Sequence, residues 1–178
     1  MAYDSKRGVV VMFGGQTSSG SGELGDTWEF DGTDWKLRTI AVSPTVRFGP
    51  AMAFDSIRGV TVLFGGSAAS MLASDTWEWN GSSWSPRITS GPSGRYGAVG
   101  AFLAGRFIVF GGNTTSSTLS DTWEWNGTWW SQRTTPVSPG NRYYPQGAAD
   151  VLRGKLVLFG GRSDLSGPYL NDTWEYGP

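Results

Sequence analysis

The sequence predicts an all-β fold built from four repeated units of four short strands, and three observations carry the prediction. Phe-Gly-Gly occurs four times, at Phe13, Phe64, Phe110 and Phe159, with spacings of 51, 46 and 49 residues. Asp-Thr-Trp-Glu also occurs four times, beginning at Asp26, Asp75, Asp121 and Asp172, with spacings of 49, 46 and 51. A further tryptophan, Trp35, Trp84 or Trp130, stands nine residues after each of the first three of those aspartates, and Arg47, Arg95 and Arg142 follow 12, 11 and 12 residues later. Ordered marks returning at one period are the signature of a repeat architecture. No stretch of useful length carries helical periodicity.

Each unit reads as a succession of strands. The runs VVVMFGG, VTVLFGG, RFIVFGG and KLVLFGG are buried-strand patterns that stop at a double glycine (Gly14-Gly15, Gly65-Gly66, Gly111-Gly112, Gly160-Gly161), where the backbone is free to take positive φ. The next strand has period two: Asp26, Trp28 and Phe30 share one face, Thr27 and Glu29 the other. Trp77, Trp123 and Trp174 repeat the Trp28 position. Asp31-Gly32, Asn80-Gly81 and Asn126-Gly127 are strong hairpin signals. They lead into the strand carrying Trp35, Trp84 or Trp130. A Pro/Ser-rich connection then leads to a small-residue strand (PAMAF, AVGAF, QGAA), as crowding near an axis requires. That strand turns into the next strand of the same unit through Asp4 to Gly8, Asp55 to Gly59 and Asp150 to Gly154. The third repeat is two residues shorter there and has Leu103 in place of Asp. The units run approximately over 1–40, 41–90, 91–136 and 137–178 and form a single unit of 1–178. Four-stranded units of this length with double glycines are blades of a β-propeller.

Composition bounds the chemistry. The 178 residues include 27 glycines and 10 tryptophans but no histidine and no cysteine, and the net charge is −1. Disulfides, thiol chemistry, histidine catalysis and histidine metal ligation are therefore outside this chain's means. A charge near zero argues against a nucleic-acid partner. No apolar run approaches the roughly 18–20 residues of a membrane span, and MAYDSKRGVV has no apolar signal core. Neither a nucleic-acid nor a membrane partner is expected.

These marks resemble the kelch-repeat β-propellers. The double glycine after the second strand, the aromatic late in the third (Phe30, Trp79, Trp125, Tyr176) and the tryptophan of the fourth carry the resemblance over essentially the whole chain. The Asp-Thr-Trp-Glu phrasing is closest in style to bacterial kelch and galactose-oxidase-like repeats, which implies an extracellular or periplasmic setting. The copper-radical chemistry of galactose oxidase needs Cys, Tyr and His, so it does not carry over. No cofactor is expected, and the absence of a nucleophile–base constellation favours a non-catalytic module; a glycan-active enzyme using the loop carboxylates Glu23 and Asp164 is the rival reading.

The strand count implies an incomplete ring. The chain opens inside a first strand at Met1-Ala2-Tyr3-Asp4 and stops after a third strand at Asp172 to Tyr176, giving about fifteen strands. Four open blades expose apolar faces, and such faces recruit partners. The leading expectation is a homodimer through the terminal blades, two copies closing an eight-bladed ring by a twofold. A compact four-bladed monomer and a truncated or engineered scaffold fragment are the alternatives.

The repeated acids are read as scaffold, the aspartates capping the loop after the double glycine and the glutamates pairing with arginines of neighbouring strands. Arg47, Arg95 and Arg142 are ambiguous: they either ring the channel mouth and bind an anionic ligand, or form salt bridges to the repeated Asp or Glu. The loops after the second strand (16–25, 67–74, 113–120, 162–171) and after the fourth (36–46, 85–94, 131–141) share one end, where binding tends to sit. Phe48, Tyr96, Tyr143 and Tyr144 beside the arginines, and Arg162, Asp164 and Tyr169 on the fourth loop, suit a glycan or peptide ligand. Packing between blades is the competing reading of the tyrosines. Trp129 alone among the tryptophans lies off the repeat. The sequons at Asn80 and Asn126 coincide with turn positions, unlike those at Asn113 and Asn171. Glu23 and Asp164 are too few for a metal site, so none is assigned.

Overall fold

The structure is a computed structural model and describes residues 1–18, 21–68 and 71–177. It is all-β. The first sheet contains β1 (Ala2–Asp4), β2 (Val9–Ser18), β3 (Ser21–Phe30) and β4 (Trp35–Arg38). The second contains β5 (Ala51–Asp55), β6 (Val60–Phe64), β9 (Thr76–Trp79) and β10 (Trp84–Arg87), with a small hairpin of β7 (Ser67–Ala68) and β8 (Met71–Leu72) in its loop. The third contains β11 (Val99–Leu103), β12 (Arg106–Phe110), β13 (Thr122–Trp125) and β14 (Trp130–Arg133). The fourth contains β15 (Gln146–Asp150), β16 (Lys155–Phe159) and β17 (Thr173–Tyr176). Every neighbouring pair is antiparallel and each sheet is a simple meander, as propeller blades are.

The tight turns at one end follow from their side chains. Asp4 Oδ1 accepts the N–H groups of Lys6 and Arg7, and Gly8 at φ 70° closes the turn by donating to the Asp4 carbonyl. Asp55 and Gly59 repeat this arrangement. Where Leu103 replaces the aspartate, the turn shortens to Ala104-Gly105, both at positive φ (49° and 77°), the two-residue hairpin conformation. In the Asn-Gly hairpins, Asn80 Oδ1 accepts from Ser82 and Ser83, and Asn126 Oδ1 from Thr128 and Trp129. Trp129 is thereby placed at an exposed hairpin tip, outside the blade packing.

The double glycines do more than end a strand. Gly15, Gly66 and Gly112 each donate a backbone hydrogen bond to the carbonyl of Arg47, Arg95 or Arg142 at the start of the following blade. The preceding glycine must let that carbonyl in. At Gly65 (φ 71°) a Cβ would lie 2.6 Å from the Arg95 oxygen, so only glycine fits.

One expectation about the loops is corrected. Residues 16–18 and 21–25 are not an irregular loop: beyond a register shift between Phe13 and Gly15, β2 and β3 continue as a ladder with Gly15↔Leu24 and Gln16↔Glu23. Once the bulge at the glycines has bent the ribbon, the backbone groups have no better partner than each other.

The core lies between blades. Ala2, Val11, Phe13, Met52, Leu63, Trp79 and Trp84 bury the junction of blades 1 and 2, and an equivalent cluster centred on Val62, Phe64, Phe107, Trp125 and Trp130 buries that of blades 2 and 3. Blades 3 and 4 meet through Ile108, Leu156, Phe110 and Leu158. Strands β1, β5, β11 and β15 line a shared axial cavity of about 590 Å³, walled by small residues such as Ala53, Gly100, Ala101, Gly147 and Ala148.

Candidate binding and assembly site

A recurring set of polar contacts locks one blade to the next. Glu29 is buried, and its carboxylate accepts from Arg7 and Arg38 of its own blade and from Trp79 Nε1 of the following one. Glu78 does the same with Arg58, Arg87 and Trp125 Nε1, and Glu124 accepts from Arg133 and the Tyr176 hydroxyl. Burial pushes the Glu29 carboxyl up, but the bonds from Trp79, Arg7 and Arg38 outweigh it and leave the group below the ordinary carboxylate range. A second contact runs alongside. Trp84 Nε1 donates to Thr27 Oγ1 and Trp130 Nε1 to Thr76 Oγ1, both at 2.9 Å, and their rings pack edge-on against Phe13 and Phe64. Thr and Glu of the repeated motif are thus the buried acceptors of the inter-blade tryptophans. Sequence periodicity put them on one face but gave no sign that indoles from the next blade would meet them there.

The repeated arginines are struts. Arg47, Arg95 and Arg142 are almost wholly buried and form two-pronged pairs with Asp75, Asp121 and Asp172, while also donating to the carbonyls of Gly65, Gly111 and Gly160. The anion-binding role considered for them is corrected: their donors are occupied inside the protein. The aspartates, expected to cap backbone N–H groups, instead take this arginine and the indole N–H of Trp77, Trp123 or Trp174 with their side chains. Asp26, in the first blade, keeps only the indole contact of this set, from Trp28. Burial pushes the Asp75 and Asp121 carboxyls up, yet the arginine and indole bonds outweigh it and hold both below the usual range. The Arg142 guanidinium and Trp174 hold Asp172 low as well.

The loop-end aromatics form a contiguous cluster. Phe48 meets Tyr96 edge-on at 5.6 Å, and Tyr96 lies 6.2 Å from Tyr143 and 6.0 Å from Tyr144. Tyr143 is buried, which matches the inter-blade packing reading, whereas Tyr144 is half-exposed at φ 50°. Burial, together with Tyr96 and Tyr143, pushes the Tyr144 hydroxyl up to about 12. Tyr143 pairs in turn with Arg162, whose guanidinium lies 4.9 Å from the ring of the exposed Tyr169. Asp164 Oδ1 is engaged by Ser166.

The two terminal blades break the pattern. Trp35 is 44% exposed, against 3% for Trp84 and 7% for Trp130, and all of β4 is exposed. At the far end Phe159 is 51% exposed, where Phe13 and Phe64 are at 3% and 1%. Arg7 and Arg58 each pack on the hairpin glycine of the next blade, Gly81 and Gly127. Arg153 is more than half exposed, and nothing lies against Gly32. Blade 1 therefore presents the parts that would seat in a preceding blade, and blade 4 presents the parts that would receive them.

The KLHDC2/KLHL20/DRC7 Kelch-repeats domain family matches the chain over residues 7–178. No curated protein matches it.

Proposed function

The chain belongs to the Kelch-repeat family, whose propellers generally serve as protein-interaction modules, and from that premise we propose that it is a non-catalytic assembly and binding module whose terminal blades pair two copies into an eight-bladed ring. The observation that supports this most is the match between the exposed faces. Trp35 stands where Trp84 and Trp130 stand, and Phe159 and Thr173 stand where their receivers Phe13, Thr27, Phe64 and Thr76 stand. A twofold forms that junction twice, blade 4 to blade 1 and back, so any defect in it counts double. Trp35→Asp or Phe159→Asp should raise the dimer dissociation constant at least a hundredfold, while Tyr169→Ala, at the loop end, should leave it unchanged. Size-exclusion chromatography with light scattering checks this; equal behaviour of all three variants would sink the reading.

A second reading concerns ligands. The Tyr96–Tyr143–Tyr144 cluster beside Arg162 and Tyr169 offers exposed ring faces next to polar groups, which suits a glycan. Binding of the protein to an immobilised glycan panel should be reduced at least fivefold by Tyr144→Ala. An empty panel removes this reading and leaves the first intact.

A further inference from the structure

The Asp-Gly hairpin of blade 1 and the Asn-Gly hairpins of blades 2 and 3 share one conformation and differ in one functional group. Asp31, Asn80 and Asn126 each turn Oδ1 back to accept the main-chain N–H groups two and three residues on, at 2.9 or 3.0 Å. Gly32, Gly81 and Gly127 follow at φ 98°, 97° and 98°, where glycine sits without strain. The first turn therefore holds a carboxylate where the other two hold a carboxamide. Each carboxamide turn leaves two nitrogens unused. Asn80 and Asn126 Nδ2 donate to nothing among the described residues, and neither do the main-chain N–H groups of Gly81 and Gly127. An unengaged backbone nitrogen thus stands one residue from a side-chain carbonyl whose oxygen is already held by donors.

We propose that Asn80 and Asn126 are self-modification sites, whose turns promote loss of the side-chain amide. The Gly81 nitrogen gives its proton to solvent and bonds to Asn80 Cγ. The Cγ–Nδ2 bond breaks, and the nitrogen takes up a proton and leaves as ammonia. A five-membered succinimide remains. Water opens it, either at the Cγ–N bond to give aspartate or at the main-chain carbonyl to give isoaspartate, and the Gly81 nitrogen regains a proton. Water is the only co-reactant, and nothing is oxidised or reduced. Negative charge develops on Oδ1 during the addition, where the Ser82 and Ser83 N–H groups and the Ser82 hydroxyl already donate at 2.9 Å. Donors fixed on a developing oxyanion lower the barrier to forming it. Asn126 has two N–H donors without the hydroxyl, and it is half-buried where Asn80 is exposed, so Asn80 is the faster site. The two products differ in effect. Aspartate reproduces the turn of Asp31. Isoaspartate lengthens the main chain beside the pair Trp79↔Trp84 and pulls at the indole that bonds Thr27 of blade 1.

The full chain, kept folded in mildly alkaline buffer, is sampled over weeks and its peptides are mapped by mass spectrometry. Electron-transfer fragmentation separates aspartate from isoaspartate. Asn80 should convert first and Asn126 next, each to both products. Asn113, Asn141 and Asn171, which precede Thr114, Arg142 and Asp172, should stay intact over the time in which Asn80 converts. Ser82→Ala takes one donor from Asn80 Oδ1 at the surface of the hairpin. It should slow conversion of Asn80 about fivefold, the worth of one hydrogen bond, and leave the rate at Asn126 unchanged. Conversion that appears only when the chain is unfolded in urea would overturn the assignment. So would equal rates at all five asparagines, or a Ser82→Ala rate equal to the native one.

Discussion

Trp130→Ala should cost about 3–5 kcal/mol of folding stability, the range for removing a buried tryptophan, and Trp35→Ala less than about 1 kcal/mol in dilute solution. The two residues hold the same place in the repeat. Trp130 is sandwiched between blades, with Phe64 at 5.0 Å, Phe107 at 5.9 Å and Trp125 at 5.6 Å, and its indole N–H satisfies buried Thr76. Its loss opens a cavity and orphans a hydroxyl. Trp35 packs on Phe30 of its own blade and is 44% exposed, with no second blade against it among the described residues. Chemical denaturation of the two variants at low protein concentration measures the difference. Equal losses would mean that the first blade is already packed against another within one chain, contrary to the open faces described above.

Glu78→Ala should be as damaging, about 3–5 kcal/mol, lowering the melting temperature by about 10 °C. Glu78 is 2% exposed and receives Arg58, Arg87 and Trp125 Nε1. Its removal leaves the Arg87 guanidinium without its carboxylate, Arg58 with Asp55 alone, and a buried indole N–H without an acceptor. Glu78→Gln keeps an oxygen for the indole and should fall between the variant and the native protein. The equivalent Glu175→Ala should cost under about 1 kcal/mol, because Glu175 is 44% exposed and its partner Arg153 is more than half exposed. Thermal melts of the three variants check the ranking. A Glu175 effect as large as that of Glu78 would contradict the account of how blades lock.

Much of this was legible in the sequence because propeller blades repeat their chemistry. The double glycines, the Asn-Gly turns and the Asp-Thr-Trp-Glu strands each mark one element, and each lies in the expected strand or turn. What sequence left open was partnership. Arg95 reads equally well as a ligand donor or a strut; only its burial and the geometry with Asp121 and the Gly111 carbonyl decide for the strut. Thr27 and Thr76 read as ordinary strand residues until the structure brings the indoles of Trp84 and Trp130 onto their hydroxyls. The pairing of Gln16 with Glu23 is not legible in the sequence because Gln, Ser and Gly carry little strand preference; it comes from the ribbon leaving the sheet.

The central claim, that exposed blade faces at the two ends seat on each other in a second copy, is tested most directly by the native mass of the unmodified chain across a concentration series. One copy weighs 19.2 kDa. The account predicts a species of twice that mass that dominates as concentration rises, with no larger closed species. A single-copy mass at every concentration would contradict it.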